Sequence, residues 1–337
     1  MLTLVPSRSP WPGPRPSLGD DPGLLVAVGA GGLIARTEDS GDTWEVVVSG
    51  ITTQLNSVAF GSDVWVAVGE GGKILLSHDD GKTWVATPSP TTFGINAIEY
   101  SDGVFCFYAR GNTSANRLFW SINGVTWTSI DCPYATPGTI GWSSGAAKGV
   151  FVFTHIGDYR SAMVVRTPQH KDGVLVRLAA AGFGSSYYGV YGGTVNEDGI
   201  VGAVGQATKL STGVYTGSLV MNYFGGGDSR VWNDVFYDKT RGVWAMCGGS
   251  NQIAGGSAIA LALTKDTFTP VVAGGNAANI VAAVGSQPAN CITATEERCF
   301  IGGVSGSIGA SKNWNEPFVK QVTFSKAILC ICPAVSA

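Results

Sequence analysis

Charge is what this sequence has least of. Only 13% of its 337 residues are Asp, Glu, Lys or Arg, about half of what soluble domains usually carry. With 21 basic against 24 acidic residues and a formal net charge of −3, there is no basic stripe to neutralise phosphates, which excludes nucleic acid as a partner. Long apolar runs are also missing. The best candidate, LLVAVGAGGLIA at 24–35, is broken by glycine and ends at Arg36, short of the ~18 residues needed to span a bilayer, so no membrane insertion is expected. Histidine is confined to His78, His155 and His170, too few and too dispersed for a metal cluster. The seven cysteines are odd in number and have no C-x-x-C pair, which argues against a disulfide framework or a zinc knuckle. They read as small buried residues. Cys330 and Cys332, two apart in AILCICP, point to one face of a strand. No nucleotide or hydrolase fingerprint stands at a strand-to-helix junction, and GAGG (29–32) and GEGG (69–72) read as hairpin turns. No cofactor is expected.

Glycine, at 48 residues, takes the place of a charged, helix-friendly surface. No segment sustains apolar spacing at i, i+3, i+4 and i+7, so almost no helix is expected. A unit repeats instead. In residues 55–88 it reads LNSVAF, VWVAVGEGG, KILLSHDDG, KTWVATP: four short β-branched and aromatic runs punctuated by Gly and Asp, a four-stranded antiparallel meander. Its first strand recurs as INAIEY at 95 and WNDVFY at 232, with Asn56, Val58 and Phe60 matched by Asn96, Ile98 and Tyr100 and by Asn233, Val235 and Tyr237. Weaker copies are placed at GTIGW (138), YYGVYG (187), NIVAAVG (279) and KAILCI (326). The second strand recurs seven times, as LLVAVG, VWVAVG, VFCFYA, VFVFTH, GIVGAVG, VWAMCG and CFIGGV. A period of about 40 to 50 residues is that of propeller blades.

The expected fold is therefore all-β: a seven-bladed β-propeller of four-stranded antiparallel blades over 23–337. Residues 24–50 supply only the last three strands of a blade and residues 326–332 supply an orphan first strand. Pairing of these terminal strands closes the ring and removes two exposed sheet edges. Residues 1–22 hold Pro6, Pro10, Pro12, Pro14 and Pro16 and read as an extended arm outside the sheets. The arm has no apolar stretch behind a basic start, so no secretion signal is expected. Pro10, Trp11, Pro12 and Pro14 are its candidate partner-binding residues, Trp11 being the anchor.

One octet within the unit stands out. TEDSGDTW provides Thr37, Asp39, Gly41, Thr43 and Trp44; SHDDGKTW provides Ser77, Asp79, Gly81, Thr83 and Trp84; a shortened SINGVTW provides Ser121, Asn123, Gly124, Thr126 and Trp127. The Asp or Asn accepts backbone N–H bonds within a tight turn, Gly adopts a conformation closed to side chains, and Trp pins the hairpin. This octet resembles the Asp-box of sialidase-like (BNR repeat) β-propellers. The likeness implies turns on the outer rim of the blades, so these residues are structural. Only TKDTF (264–268) and SKNW (311–314) stand at the corresponding later turns.

Sialidase activity, which the resemblance invites, finds no support in the residues. Those enzymes fork a carboxylate with three arginines, one in a Phe/Tyr-Arg-Ile-Pro segment before the first box. Here that region holds only Arg8, Arg15 and Arg36, none in such a segment, and a planar guanidinium is needed for bidentate recognition. Glu99 and Asp234 are the acidic candidates on first strands for a paired-carboxylate glycosidase. The preferred expectation is non-enzymatic. Short Asp-box propellers of this kind resemble bacteriophage virion structural proteins, which implies a tail, fibre or capsid-associated subunit. Its partners would be other protein subunits and its location the virion, after synthesis in the host cytoplasm. Two alternatives stand beside it: a module that binds or cleaves host-surface glycans, with Tyr187, Tyr188 and Tyr191 as stacking candidates, and a propeller similar to photosystem II assembly factors.

Overall fold

The computed structural model describes residues 23–109, 117–131, 140–147, 149–155, 162–166, 176–177, 190–195, 200–205, 211–214, 222–223, 231–249, 257–264, 267–269, 283–284, 289–314 and 316–334. The arm of 1–22, with Pro10, Trp11, Pro12 and Pro14, lies outside the described residues, as do Tyr187 and Tyr188.

The described residues form seven four-stranded sheets, antiparallel throughout. Sheet I contains β1 (Leu25–Gly29), β2 (Ile34–Thr37) and β3 (Glu45–Val47). Sheet II contains β4 (Leu55–Gly61), β5 (Val64–Gly69), β6 (Ile74–Ser77) and β7 (Val85–Ala86). Sheet III contains β8 (Ile95–Ser101), β9 (Val104–Ala109), β10 (Arg117–Ser121) and β11 (Thr128–Asp131). Sheet IV runs β12 (Ile140–Ala147), β13 (Val150–His155), β14 (Ala162–Arg166) and β15 (Val176–Arg177). Sheet V runs β16 (Val190–Val195), β17 (Ile200–Gly205), β18 (Ser211–Val214) and β19 (Asn222–Tyr223). Sheet VI has β20 (Val231–Asp238), β21 (Val243–Gly249), β22 (Ser257–Thr264) and β23 (Thr267–Thr269). Sheet VII has β24 (Ala289–Ala294), β25 (Cys299–Gly303), β26 (Ser307–Ser311) and β27 (Val319–Thr323). The last strand, β28 (Ile328–Pro333), pairs with β1 and is the first strand of sheet I.

One sequence placement is corrected. The first strand of sheet VII is Ala289–Ala294, not the segment at 279, within which Ala283 and Val284 are helical and buried. The strand bears the same pattern as the others, Asn290 then Ile292, but small and sulfur-bearing residues around it make it a poor β signal.

Burial falls from the inner to the outer strands. β1, β5, β9 and β25 are buried at every residue. Their unbroken apolar runs suit strands covered on both faces by neighbouring sheets. β3 and β7 are mostly exposed. The core consequently lies between sheets. Val26, Val28 and Ile34 of sheet I pack with Val58, Trp65 and Leu75 of sheet II. Val66 and Leu76 of sheet II pack with Ile98, Phe105 and Phe107 of sheet III. Phe300 and Ile308 of sheet VII pack with Leu25, Ala27 and Ile328 of sheet I.

First strands touch in succession, β4 on β8, β8 on β12, β12 on β16, β16 on β20, β20 on β24, β24 on β28 and β28 on β4. Each also slips register against its second strand, for example between Leu55 and Ser57, between Trp232 and Asp234, and between Ala289 and Cys291. In a regular strand two adjacent side chains point to opposite faces. The bulge re-aims them, and both reach the next sheet. Asn56, Asn233 and Asn290 donate from Nδ2 to the carbonyls of Ile95 (3.0 Å), Ala289 (2.8 Å) and Ile328 (2.9 Å). One residue on, Ser57 Oγ accepts the Ile98 N–H at 3.2 Å and Asp234 Oδ2 accepts the Ile292 N–H at 2.9 Å. Cys330 occupies the same place on β28, its Sγ 3.9 Å from the Val58 carbonyl.

Replacing Asn290 by Leu, the residue that β28 carries at the corresponding Leu329, leaves the Ile328 carbonyl unpaired. Asn290→Leu is expected to lower unfolding stability by about 1–3 kcal/mol in urea titrations. Wild-type stability would contradict the bond's role.

Candidate functional site

The three octet copies form one turn. In the first, Thr37 Oγ1 accepts the Gly41 N–H at 3.1 Å and donates to Asp39 Oδ1 at 2.6 Å. Asp39 then accepts from Thr43 N (2.8 Å) and Thr43 Oγ1 (2.6 Å). The second repeats every bond: Ser77 Oγ takes Gly81 N–H at 3.0 Å, and Asp79 takes Thr83 N and Oγ1 at 2.9 and 2.6 Å. In the shorter third, Ser121 Oγ takes Gly124 N–H at 2.9 Å, and Asn123 Oδ1 accepts Val125 and Thr126 N–H, both at 2.9 Å. Trp84 is buried and donates from Nε1 to the Gly81 carbonyl at 2.9 Å, while Trp127 packs on Phe107 with ring centroids 4.5 Å apart.

The glycines seat each turn on the preceding sheet. Gly41 and Gly81 have φ of +83° and +77°, a region side chains rarely enter. A Cβ at Gly41 would lie 2.6 Å from Phe300 of sheet VII, one at Gly81 3.0 Å from Val26 of sheet I, and one at Gly124 2.9 Å from Val66 of sheet II.

Three arginines close these junctions. Arg36, on sheet I, donates from Nε to the Asp80 carbonyl at 2.8 Å and pairs with Glu38 and Glu45. Arg298, on sheet VII, reaches the Ser40 carbonyl at 3.2 Å and Asp42 at 2.6 Å. Ser40 and Asp80 hold the same place, just before the octet glycine. Arg241, on sheet VI, bonds Asp238 at 2.8 Å and the Lys312 carbonyl at 3.2 Å, and Asp238 accepts Trp314 Nε1 at 2.8 Å. Trp314 belongs to the turn expected at SKNW. Ser311 to Phe318 has the length of Thr37 to Trp44, and the Glu316 N–H bonds the Asn313 carbonyl at 3.1 Å as Asp42 bonds Asp39 at 3.2 Å. Its signal was Ser followed seven residues later by an aromatic.

The acidic candidates Glu99 and Asp234 lie on β8 and β20, both half-buried. Asp234 is held by the N–H groups of Val235 (2.8 Å) and Ile292, which makes it a joint between sheets VI and VII. Both carboxylates act on one thiol: burial first, then the charges of Glu99 and Asp234, push Cys330 up to about 12. Burial likewise raises Cys247 and Cys291 well above the ordinary thiol range. These are protonated, poorly nucleophilic thiols. Cys106, Cys247, Cys291 and Cys299 are buried, whereas Cys330 and Cys332 are half-buried. Among the described residues no three His, Cys, Asp or Glu group to hold a metal ion, and no helix is long and apolar enough to cross a membrane. Tyr191 lies on β16, and His78 is exposed in its turn.

The outer edge strands expose valines beside charged residues such as Glu45 and Lys320. Val46 and Val48 by β3, Val85 on β7 and Val319 on β27 are exposed. A cleft of about 620 Å³ opens beside β3 between sheets I and VII, lined by Gly31, Val46, Val48, Ile51, Phe324 and Lys326 among others.

No family model matches the chain, and no curated protein matches it. Solved structures do. The structure of YCF48 bound to D1 peptide aligns with a TM-score of 0.60 at 17% identity, over 83% of this chain and 85% of that one. The WD40 β-propeller domain of Doa1 aligns at 0.58 and 14%, over 88% of each. A protein from Lactobacillus plantarum aligns at 0.63 and 12%, over 91% of this chain and 98% of that one. At such identities the likeness concerns fold, and the fold is a β-propeller.

Burial works against the Asp39 charge, but bonds from Thr37 and Thr43 outweigh it and hold the carboxyl at about 2, below its ordinary 3.8. A depressed folded value means that its stabilisation is complete above pH 3.8 and vanishes as pH falls through about 2. Asp39→Asn, the residue the third turn uses, should fold and show a shallower loss of stability across that window in urea titrations. Identical pH profiles would contradict the assignment.

Proposed function

We propose that the seven sheets are the blades of a closed seven-bladed propeller, residues 23–337, that works without catalysis as a protein-interaction subunit. The contacts of β24 with β28 and of β28 with β4 support closure. The reading rests on one observation: the outer edge strands of sheets I, II and VII each present an exposed valine, Val46 at 64%, Val85 at 67% and Val319 at 62%. Edge strands offer unpaired backbone groups, and proteins that must avoid partners guard them with charge. Valine on such an edge favours a surface covered in an assembly.

Within that reading, the Asp-box-like turns and the charge-poor surface favour a bacteriophage virion component, carried in the tail, a fibre or on the capsid. A second reading is a photosystem II assembly factor; the likeness to YCF48 bound to D1 peptide favours it. Mass spectrometry across a density gradient of the source material separates the readings. The virion reading expects the chain to sediment with a large particle at fixed copy number. Recovery only as free protein would overturn it, and capture of photosystem subunits by the tagged chain would replace it with the second reading.

A further inference from the structure

Two neighbouring junctions on the rim are built on the same frame but filled oppositely. Between sheets I and II, Arg36 pairs across the strands with Glu45, and Glu38 of the first turn pairs with Lys82 of the second at 3.2 Å. Charge closes that junction. Between sheets II and III the place of Arg36 is taken by Leu76, that of Glu45 by its cross-strand partner Val85, and that of Lys82 by Val125. The third turn rests on Leu76, since a Cβ at Gly124 would lie 3.1 Å from Leu76 Cδ2. Val85 and Val125 are 67% and 47% exposed. Two positions that are charged at the first junction, those of Glu45 and Lys82, are here apolar and uncovered, while the place of Glu38 is held by His78.

We propose that this patch is the seat of the chain's own N-terminal segment, residues 10–14, PWPGP, with Trp11 laid over Val85 and Val125. Trp11 is the one aromatic residue among the first 22, and no charge lies nearer to it than Arg8 and Arg15, which suits a seat without charge. The described chain starts at Gly23, whose carbonyl accepts the Ser40 N–H at 3.0 Å, which places Gly23 beside the first octet turn, at the end of the sheets that bears the patch. The 11 residues between Trp11 and Gly23 let the chain span up to about 40 Å, whereas the patch is two sheet spacings away, each about 10 Å. A tether this short gives an effective concentration on the order of millimolar, so the chain's own segment fills the seat before that of a second copy in dilute solution. The seat takes Val85 from the surface left to a partner, where Val46 and Val319 remain, and the inference does not depend on which assembly the protein serves.

The test uses the full chain with p-benzoylphenylalanine in place of Trp11, photolysed in dilute solution as an equal mixture of light- and heavy-isotope protein. Attachment is expected at residues 84–86 and 122–127, in pairs of one isotope only. Restoring the charge of the adjacent junction with Val85→Glu and Val125→Lys is expected to lower the yield at least tenfold with the melting temperature unchanged. Should the pair fail to fold, Val125→Lys alone gives the same readout. Attachment elsewhere, mixed-isotope pairs that put the seat on a second copy, no attachment, or a yield that the charges leave intact would each overturn the proposal.

Discussion

The structure depends on a short bond between neighbours: a side chain on the bulge of one first strand, tied to the backbone of the next. Sheets that face each other through apolar contacts alone slide, because the hydrophobic effect has no direction. Asn56, Asn233 and Asn290 fix the register at one level, and Ser57, Asp234 and Cys330 at the next. Either residue of a pair would point away in a regular strand, so the bulge and the two bonds are one device. Asp234 takes its meaning from this comparison. It stands where other first strands have Ser or Cys and performs the same task.

At the rim a second device holds the same neighbours together. The octet glycine lets each turn lie flat on the sheet before it, and Arg36 or Arg298 then grips the carbonyl just ahead of that glycine. Arg241 also reaches the turn of the next sheet, but at the Lys312 carbonyl, two residues earlier in the turn. Inner bonds set register while outer ones set spacing, and the apolar clusters between them supply the bulk of the burial. An interaction surface on such a scaffold is pre-formed, because the edge strands are held from behind. Whatever docks on the exposed valines finds them already in place.

The all-β class, the four-strand unit and all seven second strands were legible because a strand covered on both faces must be a run of apolar residues, and these runs are unmistakable. The octet was legible because its Asp, Gly and Trp each answer a separate steric or hydrogen-bonding demand. Less visible was the first strand of sheet VII. ANCITA lacks the aromatics that mark its counterparts, and NIVAAVG nearby resembles a strand more closely while Ala283 and Val284 within it are helical. The arginine grips leave no signal in the sequence, because most of their acceptors are backbone carbonyls. Asn56, Asn96 and Asn233 stood out as a pattern from the first, but only the register slip explains why an amide recurs there.

Amide hydrogen exchange of the Ile98 N–H, in wild type and in Ser57→Ala, tests the central claim most directly. If the bond from Ile98 to Ser57 joins sheets II and III, that amide is protected in the wild type, and the variant accelerates its exchange far more than that of Val66 or Phe107 in the adjoining second strands. Equal acceleration at all three amides, or none at Ile98, would contradict it.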